Sequence, residues 1–108
     1  MFFNNEIHKY KIATRTKGRS LLETGYSLNK IIIYRACTSN MFHPLDYVTL
    51  SRKFAIEHAN HNVIVNEEEQ IVIKTMVNAS DVYEAYNPGE YFYDGPEIKG
   101  TIIYTAKI

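Results

Sequence analysis

Three polar side chains stand where the chain enters or leaves a predicted strand. Arg35 closes the apolar run of residues 31–36. Thr49 closes a shorter run before a predicted helix, and Glu90 opens an aromatic one. An arginine keeps its charge in a protein, and a glutamate is rarely buried unless it is paired. Arg35 and Glu90 therefore each need a structural partner, a ligand or access to water.

Together these three side chains would suit cleavage of a glycosidic bond. The guanidinium of Arg35 can grip a phosphate or a carboxylate, and the hydroxyl of Thr49 can orient a sugar. The carboxylate of Glu90 can stabilise the positive charge that develops on a sugar ring as its bond breaks. For Arg35 the alternative is a structural ion pair within the sheet, and the residues alone leave both interpretations open.

Hydrophobic patterning predicts the elements that position these residues. The β-branched run of residues 31–36 predicts a strand buried on both faces. A helix should follow Thr49, since Thr49 or Ser51 can cap it, and it should end near residues 60–62. Its buried face is predicted from helical spacing to contain Leu50, Phe54, Ala55, His58 and Ala59. The predicted strands are residues 31–36, 46–49, 70–77, 91–93 and 101–105.

This order predicts an α+β domain with a compact, mixed and largely antiparallel sheet and one main helix after the second strand. A chain of 108 residues fits one domain, residues 1–108. Residues 1–30 carry no clear pattern. The basic run within residues 9–19 indicates a solvated face or, alternatively, a contact for a phosphate-bearing partner. The acidic run of residues 67–69 should face solvent.

Charge and cysteine content limit the classes of partner. Lys plus Arg equals Asp plus Glu, at 12 each, so no strong field of one sign favours nucleic acid or an anionic membrane. The chain has no apolar run long enough to span a bilayer and no signal-peptide pattern at its start. With Cys37 as the only cysteine, no intrachain disulfide can form, and we expect a cytoplasmic protein. The oligomeric state is not indicated.

Other reactive centres are weakly supported. The best metal candidate is His58 with His61 beside Glu57, but this helical arrangement lacks a third ligand of matching spacing, and we expect no metal. Cys37 has no local motif for a nucleophile, and an apolar strand end more often holds an inert thiol. The five glycines are scattered, so no phosphate-binding loop is predicted.

The order of these residues also resembles a known family. Tyr34-Arg35, then residues 47–51 leading into a helix, then a late Glu90, is similar to the arginine, serine, glutamate signature of the ADP-ribosyltransferase superfamily. Residues 46–59, followed by residues 87–94, are similar to small phage or mobile-element members. The resemblance implies an ADP-ribosyltransferase-like fold, NAD as the substrate and a late glutamate that promotes the transfer of ADP-ribose. In its motif Tyr47 takes the place of a Phe, and Thr49 and Ser51 take the places of two serines.

The resemblance also implies a role for each site residue. Arg35 would hold the pyrophosphate or a ribose of NAD, while Thr49 and Ser51 would shape the nicotinamide pocket. A ring would stack on Tyr47 or Tyr91, and Glu90 would be catalytic. Members that modify arginine usually carry an acid or amide two residues before this glutamate, where this chain has Pro88, so an acceptor other than arginine is expected.

A mono-ADP-ribosyltransferase-like phage protein would modify a macromolecular target, most simply a host protein. The alternative is an inactive protein of the same fold that inhibits a host defence protein by binding alone, with Arg35 and Glu90 paired in the sheet. These two hypotheses disagree on Glu90, which is a catalyst in the first and an ion-pair partner in the second.

Overall fold

The structure is a computed structural model that describes residues 18–108. Expectations for residues 1–17, which include most of the basic run within residues 9–19, lie outside this range. Within residues 18–108 no helix is long and apolar enough to cross a bilayer.

The described residues form eight strands and one α-helix, joined at one point by the 3-10 turn Ala79–Asp81. In chain order the elements are β1 (Lys30–Cys37), β2 (Met41–Phe42), β3 (Asp46–Val48), α1 (Arg52–Asn66), β4 (Gln70–Asn78), β5 (Val82–Glu84), β6 (Tyr91–Tyr93), β7 (Ile98–Lys99) and β8 (Thr101–Ala106). The predicted strands and the helix are all present. The sequence did not predict β2, β5 and β7, which are two or three residues long.

The strands pair in three antiparallel sheets. The largest sheet has the order β1-β4-β8, a second has the order β3-β6-β5, and β2 pairs with β7. An isolated bridge between Tyr34 and Thr49 joins β1 to the end of β3. The prediction of a mixed α+β domain with antiparallel pairing and a helix after the 46–49 strand is confirmed, although the pairing is divided among three sheets.

The β1-β4-β8 sheet has a core on each side. One face packs towards the β3-β6-β5 sheet through a cluster that includes Ile33, Ile73, Val82 and Tyr93. On the other face, Val72 and Ala106 meet the apolar side of α1. The strands therefore lie between a helix and a second sheet, and the edges of these layers meet where Tyr34 pairs with Thr49.

The prediction that β1 is buried on both faces is wrong for its first half. Ile31 and Ile33 are buried, but Ile32 between them is 37% exposed. The reason is the position of α1, whose packing cluster includes Tyr34 and Ala36 at the far end of β1 but not Ile32. Only part of this face of the sheet is covered by the helix.

The helix differs from expectation in its buried face and in its length. Its buried residues are Ala55, Ala59 and Val63, spaced four apart, whereas Phe54 is 46% exposed and His58 is also exposed. Phe54 and His58 each precede a buried alanine, so they lie about 100° round the helix from the buried face. The helix continues past residues 60–62 because Val63 extends the buried face, and it ends at Glu67 in a left-handed conformation with φ of 51°.

The acidic run of residues 67–69 is exposed, as predicted. It follows the end of α1 and precedes β4, so the like charges lie in water, where their mutual repulsion is screened. Gln70, the next residue, is only 3% exposed and begins the pairing of β4 with β8. The acidic run therefore ends where the sheet begins.

Candidate functional site

A cleft of about 330 Å³ lies where β1, β3 and α1 meet the turn before β6. Its strand wall carries Arg35, Tyr47 and Thr49, and its helix wall carries Phe54, His58 and Asn62. Glu90 also lines it, from the turn formed by residues 87–90. The volume is at the lower end of the range for small-molecule sites. The three polar residues at the ends of the predicted strands, Arg35, Thr49 and Glu90, thus line one cleft.

Backbone pairing fixes the position of Thr49. Its N–H donates to the carbonyl of Tyr34 at 3.0 Å and its carbonyl accepts from the N–H of Tyr34 at 2.9 Å. The side chain is 7% exposed, and its Oγ1 accepts from the N–H of Ser51 at 3.1 Å. The Thr49 hydroxyl keeps its own proton for donation, so it can still hydrogen-bond a ligand.

Arg35 follows Tyr34 in β1, whose bridge to Thr49 joins the two strands, and Arg35 and Thr49 line the same cleft. Its Nη2 lies 3.6 Å from Oδ1 of Asp46, whose side chain is 2% exposed. Asp46 Oδ2 in turn accepts from the N–H of His43 at 2.8 Å. Arg35 itself is 27% exposed. A guanidinium has several N–H donors, so the ion pair with Asp46 leaves Arg35 able to contact a ligand.

The binding-only hypothesis predicted an ion pair between Arg35 and Glu90, and this prediction is wrong. The acid that pairs with Arg35 is Asp46, the first residue of β3. Glu90 instead accepts a hydrogen bond at Oε1 from the side-chain amide of Asn87, at 3.1 Å. The sequence predicted a strand that includes Asp46 but did not assign Asp46 to the site. The feature that could have identified it is an acidic residue within a predicted strand, because a buried carboxylate needs a partner.

Glu90 belongs to a turn and not to the aromatic strand that follows. Its N–H donates to the carbonyl of Asn87 at 3.2 Å, and its carbonyl accepts from the N–H of Ala85 at 3.0 Å. Gly89 has a φ of 84°, a conformation that glycine adopts without strain. The Pro-Gly signal thus produces a tight turn, and the carboxylate at its end is half-buried at the cleft.

Tyr47 lies close enough to Glu90 to be affected by its charge. Burial, and after it the negative charge of Glu90, raise the pKa of the Tyr47 phenol above its usual value of 10.0. The ring packs on Phe92 with 4.5 Å between centroids, and the side chain is 46% exposed. One face of Tyr47 is therefore supported by the sheet, and the neutral phenol is a hydrogen-bond donor at the cleft.

Two predicted site residues do not line the cleft. Ser51 caps α1, with its Oγ accepting from the N–H of Phe54 at 3.1 Å, as predicted for a helix cap. Tyr91 opens β6 opposite Val48 and packs against the larger core cluster. The structure thus brings Arg35, Tyr47, Thr49 and Glu90 together, and it places Ser51 and Tyr91 outside their cleft.

The helix wall contains residues that the sequence did not assign to a site. His58 and Asn62 are one helical turn apart, and the His58 ring lies 6.1 Å from that of Phe54. His58 was predicted to be buried, which hid its role on the cleft wall. The signal that could have found it is the polar pair at positions 58 and 62, on a helix that directly follows Thr49.

Other candidate centres lie outside this arrangement. In residues 18–108 no three His, Cys, Asp or Glu side chains are grouped to hold a metal ion. Burial raises the pKa of the Cys37 thiol, and its Sγ lies 2.9 Å from the carbonyl of Ser39. A thiol with a raised pKa is a poor nucleophile at neutral pH.

A second hollow, of about 400 Å³, lies on the far side of Tyr34. Its lining is mostly apolar and includes the exposed side chains Leu28, Ile32 and Met76, with Lys30 as its charged residue. It is the larger of the two but has no carboxylate and no paired polar groups. The 330 Å³ cleft is therefore the candidate site for chemistry, because cation, acid and hydroxyl meet there.

Comparisons of the chain with protein-family models, with curated proteins and with solved structures find no significant match. The cleft offers a cation on β1, a hydroxyl at the end of β3, a carboxylate before β6 and an aromatic phenol between them. These groups can bind an anionic sugar derivative and stabilise positive charge on its ring.

Proposed function

We propose that this chain is an ADP-ribosyltransferase-like protein that binds NAD in the 330 Å³ cleft and transfers ADP-ribose to a macromolecular target. The observation that carries the proposal is the convergence of Arg35, Thr49 and Glu90 on one cleft. These residues are separated by 14 and 41 positions in the chain. Their order matches the arginine, serine, glutamate order to which the sequence is similar.

Each group has a role that its surroundings support. Arg35, oriented by Asp46 at 3.6 Å, contacts the pyrophosphate or a ribose of NAD. Thr49, buried and fixed by backbone pairing, bounds the nicotinamide pocket. Tyr47, supported by Phe92, stacks on a ring of the substrate. Ser51 contributes to this pocket indirectly, because it caps the helix that forms the opposite wall. Tyr91 packs against the core cluster, so Tyr47 and not Tyr91 is the residue that stacks on the substrate.

The reaction breaks the bond between C1′ of the nicotinamide ribose and the nicotinamide nitrogen. Nicotinamide leaves with the electron pair of that bond, and positive charge develops on the ribose. The carboxylate of Glu90 hydrogen-bonds a ribose hydroxyl and stabilises that charge. A nucleophilic atom of the target then bonds to C1′ and releases its proton, so the protein needs no strong nucleophile of its own.

We further propose that the chain is phage or mobile-element encoded, that it acts in the cytoplasm of a host cell and that its target is a host protein. The similarity of residues 46–59 and 87–94 to small members of that kind supports the proposed origin, and the single cysteine supports the proposed cytoplasmic location. Pro88 occupies the position two residues before Glu90, and it carries no group that could bind a guanidinium. An acceptor other than arginine therefore fits the site better.

The experiment that tests this function is release of nicotinamide from NAD. Wild-type protein should release it, and Glu90→Gln should do so about 10²–10³-fold more slowly, as expected for loss of one group that stabilises developing charge. Glu97→Gln, which changes an exposed acid outside the cleft, is the matched control. Equal rates for wild type and Glu90→Gln would refute the catalytic role of Glu90.

A binding-only inhibitor of the same fold is the second candidate, and the ion pair of Arg35 with buried Asp46 favours it. In that case Arg35 serves the sheet, and calorimetry should detect no NAD binding. The stability of Glu90 variants does not separate the two candidate functions, because Glu90 does not pair with Arg35. Because Glu90 pairs with Asn87 on an exposed turn, we expect Glu90→Ala to change the free energy of unfolding by only about 0.5 kcal/mol in either case.

A further inference from the structure

The turn of residues 87–90 holds Glu90 at three points. Its backbone N–H bonds to the Asn87 carbonyl at 3.2 Å, and its backbone carbonyl bonds to the Ala85 N–H at 3.0 Å. The third point is the side chain, where Nδ2 of Asn87 donates to Oε1 of Glu90 at 3.1 Å. The turn that fixes the backbone of Glu90 thus also supplies the partner of its carboxylate.

The two oxygens of the Glu90 carboxylate differ in their surroundings. Oε1 accepts from Asn87, whereas no group of residues 18–108 hydrogen-bonds to Oε2. A side chain with several rotatable bonds would otherwise sample many directions, and one bond to Oε1 restricts them. The amide therefore orients the carboxylate while leaving one oxygen to accept from a ligand hydroxyl in the cleft.

We propose that Asn87 is the positioning residue for Glu90, holding Oε1 so that Oε2 meets a ribose hydroxyl of the substrate. The inference rests on the proposed function for its catalytic meaning. A proline at position 88 and a glycine with φ of 84° at position 89 keep the turn closed. Asn87 and Glu90 thus act as one unit, although only Glu90 touches the substrate.

The test uses Asn87→Asp, which keeps the size of the side chain and replaces the amide donor by an acceptor. We expect kcat for nicotinamide release to fall about 10- to 100-fold, because a hydrogen bond to a charged group is lost and a repulsion is added. KM for NAD should stay unchanged, and the thermal unfolding midpoint should fall only slightly, because the pair lies on an exposed turn. Asn78→Asp is the matched control, since Asn78 is exposed, makes no capping hydrogen bond and lies outside the cleft.

A second measurement does not depend on activity. In a ¹H–¹⁵N spectrum of the full chain, Glu90→Gln should move the side-chain amide resonances of Asn87 and leave those of Asn78 in place. The positioning role would be wrong if Asn87→Asp raised KM and left kcat unchanged. It would also be wrong if the side-chain amide resonances of Asn87 did not move in Glu90→Gln. If wild type releases no nicotinamide, the proposed function fails and the catalytic meaning of Asn87 fails with it, whereas the spectrum still reports whether the pair exists.

Discussion

The two charged sides of the cleft are built in different ways. Arg35 lies within β1, which pairs with β4 along its length, and its acid partner Asp46 is 2% exposed at the start of β3. Glu90 stands on a turn whose residues 86–89 are exposed, and its side chain is held by one hydrogen bond from Asn87. The cation is therefore part of the folded framework, and the carboxylate is an addition to it.

This difference separates stability from activity. A change at the Arg35 side disturbs a buried ion pair and the junction of two sheets, so it should lower the stability of the fold. A change in the turn of residues 87–90 should leave the fold intact and alter only what the carboxylate does. Substitutions on the two sides of the cleft should therefore differ in which property they change.

The largest effect is expected for Asp46→Ala. This substitution leaves the partly buried charge of Arg35 without its partner and removes the acceptor of the His43 N–H. Removing one member of a buried pair typically costs about 3–5 kcal/mol. Because Arg35 keeps 27% exposure, we expect the lower end, about 3 kcal/mol, measured as the free energy of unfolding in urea.

Glu97→Ala is the control for that experiment. Glu97 also holds His43, through its ring at 2.6 Å, but the two side chains are 46% and 59% exposed. An exposed pair contributes about 0–1 kcal/mol, so Glu97→Ala should cost far less than Asp46→Ala. Similar losses for the two variants would show that the pair of Asp46 with Arg35 contributes little to stability.

An intermediate effect is expected for alanine at two glycines. A Cβ at Gly100 would lie 2.8 Å from Cβ of Ile73 and 2.9 Å from Cε2 of Phe42, both side chains fully buried, so Gly100→Ala should cost about 1–3 kcal/mol. A Cβ at Gly89 would meet nothing within 4 Å, and its φ of 84° alone should cost about 1 kcal/mol. Urea unfolding measures both losses.

The activity of these two glycine variants sharpens the comparison. Gly89→Ala strains the turn that carries Glu90 and should reduce the rate of nicotinamide release more than its small stability loss explains. Gly100→Ala should retain the wild-type rate in whatever fraction remains folded. The contrast between framework and turn would be wrong if Gly100→Ala lowered the rate of nicotinamide release per folded molecule more than Gly89→Ala does.

Sequence patterning predicted most of the framework because the strands and helix report burial through spacing. Residues 31–36, 70–77 and 101–105 all form strands, and Ser51 caps the helix as expected. The sheet partners could not be predicted in this way, since the register of β1 on β4 depends on contacts far apart in the chain. The exposure of Ile32 and His58 also escaped prediction, because it depends on where α1 crosses the sheet.

The candidate site was predicted to a similar extent. Arg35, Thr49 and Glu90 drew attention as polar residues at strand ends, and they line one cleft. Their partners were missed, because the sequence does not show that Asp46 reaches Arg35 or that Asn87 turns back to Glu90. Patterning identifies residues that need a partner, whereas only the fold decides which group supplies it.

The smallest effect concerns the ionisation of two tyrosines, one on each side of the comparison. Burial is the main cause that raises the pKa of Tyr47, and the charge of Glu90 adds to it. For Tyr93, which is 1% exposed in the core, burial again comes first and the added charges are those of Asp81 and Asp94. Glu90→Gln should therefore lower the pKa of Tyr47 part of the way towards 10.0 and leave that of Tyr93 unchanged, as followed by NMR of the rings.

The same shifts set the sign of a stability change at high pH. When folding raises the pKa of a phenol, the phenol contributes its full stabilisation below its unfolded pKa of about 10. That contribution to the free energy of unfolding is lost as the pH rises through the higher pKa of the folded state. Removing the charge of Glu90 reduces the shift of Tyr47, so Glu90→Gln should lose slightly less stability above pH 10 than wild type. If wild type and Glu90→Gln lost the same stability above pH 10, and the pKa of Tyr47 were the same in both, the Glu90 carboxylate would point away from the cleft wall. It could then not reach a substrate bound in the cleft.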